Sequence, residues 1–216
     1  MTDSVQELFG MLLSVDRGGI EQILKRTMTE RGIEEVGETL MKAMTKLGEG
    51  WEDGNVSLAQ MYMGGVICEE LLSSIIPETD RIDNTLPVVG SAVFLDHHGL
   101  GMKIVSALVR THRYPLVDIG IGVNTDKIIT EIHNKKIQIL LVSVLMYPSA
   151  LAIKELSKRI ATECPDVFIA AGGAPFRLDS ELCKKVGVHR SAGNAGEIFG
   201  ILKDLGKNIV PEGGVL

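Results

Sequence analysis

Apolar residues recur every three or four positions through the first third of the chain, the period of helices that bury one face. "SVQELFGMLLSV" and "IEQILKRTMTERG" each carry this pattern and are parted by the helix-breaking "DRGG". "IEEVGETLMKAMTKLGEGWEDGN" continues it, with Val36, Leu40, Met44 and Leu47 on one face. Ser57 is placed to cap a fourth helix, "LAQMYMGGVICEELLSSII", which Pro77 stops. Four helices with short joints predict an all-α four-helix bundle.

The pattern changes across "PETDRIDNTLP", a polar stretch with proline at both ends. Beyond it, short apolar runs alternate with helical stretches: "VVGSAVFL" then 100–111, "PLVDIGI" then 124–135, "IQILLVSVL" then 149–163, "DVFIAAGG" then 178–186, and "VGVHR" then 193–206. These runs are too continuously apolar for strands with one face in water. The repeated βα unit predicts an α/β fold with an open five-stranded parallel sheet covered on both faces. The chain therefore divides into a helical domain over 1–80, a linker over 81–87 and an α/β domain over 88–216. In such a sheet a ligand is expected at the carboxyl ends of the strands.

Composition narrows the function classes. A hydrophobic content of 45% in 216 residues suffices for a core in each domain. Twenty-two Lys plus Arg against 28 Asp plus Glu leave a charge of -6 with no basic block, which argues against a nucleic-acid or anionic-membrane partner. Cys68, Cys164 and Cys183 are odd in number, far apart and outside any CxxC, so a reducing cytoplasmic setting is expected. No run is long enough for a membrane span, and "MTDSVQELFG" has no basic segment of the kind that opens a signal peptide. GxSxG, HExxH and GxxxxGK[ST] are absent, and "GIGVN" is not the glycine pattern of a dinucleotide loop.

The candidate chemistry gathers where the strands end. Asp96 and His98 flank His97 in "VFLDHHGLGMKIV", so the carboxylate is placed to accept a proton from one imidazole nitrogen while the other faces a ligand. His97 then points elsewhere. A protein metal site wants three or four convergent ligands. One histidine makes sense mainly where a tetrapyrrole-like ring brings the remaining donors. Ser143 closes the third strand on the same rim, either as a turn former or as a donor to Asp96 or a ligand. Gly172 and Gly173 close the fourth, either as a turn or to let a bulky ligand approach the backbone. "AGNAG" is placed to offer N–H groups to a phosphate, and Met61, Tyr62 and Met63 could turn from the fourth helix toward a ligand.

Asp96, His98 and Gly101 as D-x-H-x-x-G, Ser143 and Leu145 as S-x-L, and the Gly172-Gly173 pair together resemble the cobalamin-binding domains that hold their cofactor base-off with a histidine as lower ligand. A helical module followed by such a domain is similar to the corrinoid proteins of methyltransferase systems and to two modules of methionine synthase. The resemblance implies a Rossmann- or flavodoxin-like cobalamin-binding domain behind a methyl-capping bundle. It implies His98 as the axial ligand to cobalt, with Asp96 and Ser143 completing a hydrogen-bonded relay. His97, Gly99, Leu100, Gly101, Leu145, Tyr147 and Ala174 are implied cofactor contacts, as are Met61 and Tyr62 from the bundle. Ser143, Leu145, Gly172 and Gly173 are implied to line the slot for the displaced benzimidazole tail.

By the same resemblance the chain is a methyl carrier, not catalytic alone, whose cobalamin passes through cob(I)alamin, cob(II)alamin and methylcobalamin. Its implied partners are a substrate-specific methyltransferase, an acceptor methyltransferase using tetrahydrofolate or a thiol, and a reductive activation protein. The family pattern usually reads Gly-Asp-x-His-Asp-Ile-Gly-Lys-Asn. Here Leu95 stands for the leading glycine, Gly99 for the second aspartate, and Met102 and Lys103 for Lys-Asn, while Tyr147 and Pro148 stand where relatives carry threonines. Three other readings stay open on sequence alone: a cobalamin-dependent regulator, the small component of an adenosylcobalamin mutase, and a flavodoxin-like ligand-binding or response-regulator module.

Overall fold

The computed structural model describes residues 2–75 and 82–209. The chain divides into two compact units between Glu78 and Thr79. Pro77 and the start of the expected linker lie outside the described residues.

The first unit holds α1 (Thr2–Leu13), α2 (Arg17–Glu52) and α3 (Leu58–Ile75). α2 contains two of the expected helices, 17–31 and 33–52, joined at Gly32, whose φ of 80° interrupts the helical backbone. Asp16 starts α2 by accepting the Gly19 N–H at 3.0 Å. Ser57 starts α3 through a reciprocal cap. Its hydroxyl accepts the Gln60 N–H at 3.2 Å while Gln60 Oε1 accepts the Ser57 N–H at 2.9 Å. Gln60 Nε2 also donates to the Leu13 carbonyl at 2.7 Å, tying α3 to the end of α1. Leu8, Leu12, Ile20, Leu24, Leu40, Leu47 and Leu72 are the largest fully buried side chains of this unit. Cys68 lies among the buried residues of α3, where burial pushes its thiol up to about 12, so it is no nucleophile.

The second unit alternates β1 (Val89–Phe94), α4 (Leu100–Thr111), β2 (Leu116–Val123), α5 (Thr125–Lys135), β3 (Ile139–Ser143), α6 (Tyr147–Glu163) and β4 (Phe168–Gly172). It ends with α7 (Ala174–Leu178), α8 (Leu182–Val186), β5 (Arg190–Ala192), one 3-10 turn (Ala195–Glu197) and α9 (Ile198–Ile209). All strand pairs are parallel, in the order β2-β1-β3-β4-β5. β1 lies between β2 and β3 and is buried at all six residues. Ala92, Phe94, Leu140, Val142, Ile169 and Ala171 pack on one face with α5, α6 and α8. Alternation turns Ser91, Val93, Leu141, Ser143, Ala170 and Gly172 to the other face.

Two expected elements shift. Of the helix expected over 178–186 only α8 (Leu182–Val186) forms; α7 ends at Leu178, and Asp179, Ser180 and Glu181 lie between the two. The last strand begins only at Arg190, the final residue of "VGVHR", where it pairs with Ala170, and runs on to Ala192. Gly187 caps α8 at φ 74°, so the chain is still turning there, and the burial of Val188 gave it a strand-like pattern.

The open order places a switch point where β1 and β3 run side by side and their following helices leave to opposite faces. Backbone closeness at this rim is extreme at one place. Gly173 follows β4 with φ 121°, and a Cβ there would lie 1.8 Å from the Val144 carbonyl oxygen at the end of β3. The glycine pair therefore serves main chain against main chain. Gly173→Ala is expected to cost on the order of 4 kcal/mol or more and to abolish cooperative unfolding of the α/β unit in urea. A wild-type midpoint would contradict this.

Candidate functional site

Asp96 is the centre of the rim. Its side chain is fully buried, whereas the His98 side chain is 56% exposed. Oδ1 accepts the His98 Nδ1–H at 2.5 Å and the His98 backbone N–H at 3.1 Å. Oδ2 accepts the backbone N–H groups of Leu145 at 2.7 Å and Met146 at 2.9 Å. Burial pushes the Asp96 carboxyl up. The hydrogen bond from the His98 ring, with the N–H groups of Met146, Leu145 and His98, more than reverses this and holds it at about 2. The ionised carboxylate places the imidazole proton on Nδ1 and leaves the Nε2 lone pair outward. Among the described residues nothing hydrogen-bonds Nε2.

The loop that holds Asp96 is itself fixed. Leu95 takes up a left-handed backbone, φ 49°, at the position of the family glycine. Its N–H donates to the Val123 carbonyl at 3.1 Å and its carbonyl accepts the Ser149 hydroxyl at 2.9 Å. The turn is thus kept without the residue that makes it cheap. His97 lies across Gly122 at the end of β2, its Cε1 2.6 Å from where a Cβ would stand. Gly99 precedes α4 without a side-chain cap, and Leu100 and Gly101 form the first turn of that helix.

Ser143 departs from the expected relay. Both oxygens of Asp96 are taken by the donors above, and no bond joins the Ser143 hydroxyl to Asp96 among the described residues. It lies instead 3.7 Å from the position of a Cβ on Gly101, on the α4 face of the sheet. Register aligns Val93, Ser143, Gly172 and Ala192 in one row across four strands. Three of the four are small, and α4 meets the row through Gly101. The expected phosphate cradle at "AGNAG" is also corrected. Glu197 accepts the Gly193 N–H at 3.1 Å and the Asn194 side-chain amide at 2.7 Å, so its own carboxylate fills that place.

Leu145 and Tyr147 stand on the loop after β3, about half exposed, and Ala174 opens α7. In the helical unit Tyr62 is exposed, while Met61 turns its methyl to Gly48 of α2. Sequence reasoning missed Met146 and Ser149, because one acts through its backbone N–H and the other on a carbonyl. No group of three or more His, Cys, Asp or Glu converges on a common point among the described residues. A single outward imidazole nitrogen on a buried carboxylate suits a metal whose other donors arrive with a macrocycle. No helix among the described residues is long and apolar enough to cross a membrane.

Two expected outcomes follow from this geometry. Asp96 ionises at about 2 in the fold against an ordinary 3.8. Its contribution to stability is complete above the ordinary value and lost as pH falls through the folded one. Urea midpoints of the wild type should therefore fall between about pH 4 and pH 2, and those of Asp96→Asn should fall less over that window. Leu95→Gly should raise stability by up to about 1 kcal/mol, and a lower midpoint would show that Leu95 makes contacts worth more than its strain.

Comparison with known proteins agrees with the geometry. The B12 binding domain profile matches residues 86–203, and a second B12 binding domain profile matches residues 5–75. Monomethylamine corrinoid protein 2 of Methanosarcina mazei is 24% identical over 91% of this chain and 94% of its own length. The solved structure of the Methanosarcina barkeri monomethylamine corrinoid protein superposes with a TM-score of 0.81 at 20% identity, covering 94% of this chain and 99% of that one. The methanol:cobalamin methyltransferase complex of Methanosarcina barkeri gives a TM-score of 0.51 at 18% identity, covering 94% of this chain and 79% of that one. With a family profile spanning more than half its length, the chain belongs to the B12-binding domain family, is a corrinoid protein of the kind used in methyltransferase systems, and has cobalamin as its cofactor.

Proposed function

We propose that the chain is a methyl carrier that accepts a methyl group from a substrate-specific methyltransferase and yields it to a second one, with tetrahydrofolate or a thiol as final acceptor. The observation that carries the reading is the His98 imidazole, oriented by a buried carboxylate with Nε2 facing outward at the switch point of the sheet. The corrinoid relatives, one a component of a solved methyltransferase complex, support partners of that class. A reductive activation protein and a cytoplasmic location belong to the same proposal.

His98 Nε2 would hold the cobalt of the corrinoid. Bound there, the corrinoid supplies a cobalt centre that takes up and gives up a methyl group. Asp96 keeps the proton on Nδ1 and so keeps the Nε2 lone pair available. The row of Val93, Ser143, Gly172 and Ala192 forms one wall of the slot for the benzimidazole tail, with Gly101 of α4 opposite. Gly99, Leu100, Leu145 and Ala174, at the strand ends near His98, would help to hold the corrinoid.

Reconstitution with hydroxocobalamin and reduction to the cobalt(II) form tests the assignment. Electron paramagnetic resonance should show splitting by a histidine nitrogen, changed by nitrogen-15 histidine and lost in His98→Ala. Methyl transfer in that variant should slow by at least about tenfold while some corrinoid still binds. Splitting by the cofactor's own benzimidazole in the wild type, or wild-type turnover in His98→Ala, would refute the reading.

A further inference from the structure

The loop from β3 to α6 is fastened from two sides. On the β1 side, Asp96 Oδ2 accepts the N–H groups of Leu145 and Met146. On the β4 side, the Tyr147 hydroxyl donates to Asp179 Oδ2 at 3.1 Å. Asp179 sits between α7 and α8 and is itself supported. Lys185 Nζ donates to Oδ2 at 2.8 Å, and the Glu181 N–H donates to Oδ1 at 3.0 Å. The Lys185 hydrogen bond foremost, with those of Glu181 and Tyr147, outweighs burial and lowers the Asp179 carboxyl below its ordinary range. Tyr147 therefore meets an ionised acceptor at neutral pH.

Between the two fastenings stand Leu145, Met146 and Tyr147, exposed by 45%, 51% and 46%. Three consecutive large side chains held half in water form an apolar edge that calls for a partner. That edge lies directly beside the outward imidazole, because β3 is flanked by β1 on one side and β4 on the other. A threonine at 147, as in the family pattern, is too short to span from the loop to Asp179.

We propose that Asp179 is a positioning residue for the cofactor: by tethering Tyr147 it holds the rim formed by Leu145, Met146 and Tyr147 against the corrin edge on the β4 side of His98. The inference rests on the reading of this rim as the corrinoid site. Asp179 touches no cofactor itself. Its effect passes through the ring of Tyr147, which gains a fixed orientation before binding and so loses less freedom on contact.

The test is titration of the full-length chain and its variants with hydroxocobalamin, followed by absorbance, beside urea unfolding of the cofactor-free proteins. Tyr147→Phe and Asp179→Ala should each weaken binding about three- to tenfold with unfolding midpoints unchanged. The double variant should be no weaker than the weaker single one, since both cut the same tether. Asp179→Asn, whose carbonyl still accepts the hydroxyl, should bind within about twofold of wild type. Singles as tight as the wild type, or losses that add in the double variant, would overturn the inference while leaving the function standing. A wild type that takes up no cobalamin would overturn both.

Discussion

Everything at the rim depends on one buried carboxylate having four donors. Removing Asp96 from water is costly, and the fold offsets that cost with two N–H groups from the loop after β3 and two from His98, one main-chain and one imidazole. The same four bonds fix the histidine tautomer and join the loops after β1 and β3 into one unit. A single residue thereby links the sheet's switch point to the chemistry of the exposed nitrogen. Where a relay through Ser143 was expected, Asp96 takes main-chain donors from Leu145 and Met146.

The departures from the family pattern fall into three kinds. Leu95 preserves a backbone conformation while changing the side chain, at a cost in local strain. Tyr147 and Asp179 change what the rim presents, exchanging a small hydroxyl for an aromatic ring with a distant anchor. Gly99 is a third case in which a helix start has lost its capping side chain and nothing in the described residues replaces it. His98 and Asp96 are untouched by any of these, so variation surrounds the outward imidazole nitrogen without reaching it.

The bundle and the sheet were legible in the sequence because both write their burial as a period. Val36, Leu40 and Leu47 repeat along a helix face, and "QILLVSV" is apolar on both sides of a strand. β5 was misplaced because a three-residue strand has too few positions to show a period, and buried Val188 lies just before it. His98 and Asp96 were legible because the bond between them is made by side chains, which the letters of the sequence name. The N–H groups of Leu145 and Met146 were not, since every residue except proline carries one and no letter marks which is used. The bond from Tyr147 to Asp179 joins residues far apart in the chain, and only the folded arrangement of β3 and β4 brings them within reach.

Leu95 has a consequence for how such proteins are found. What is retained at that place is a torsion angle, held by the Val123 carbonyl and the Ser149 hydroxyl, and the amino acid occupying it is free to drift. A motif written with an obligatory glycine before the aspartate passes over this chain although its main chain turns there in the glycine's manner. Searches keyed to the angle, or to the pair of groups that pin it, would gather members that a letter-by-letter pattern discards.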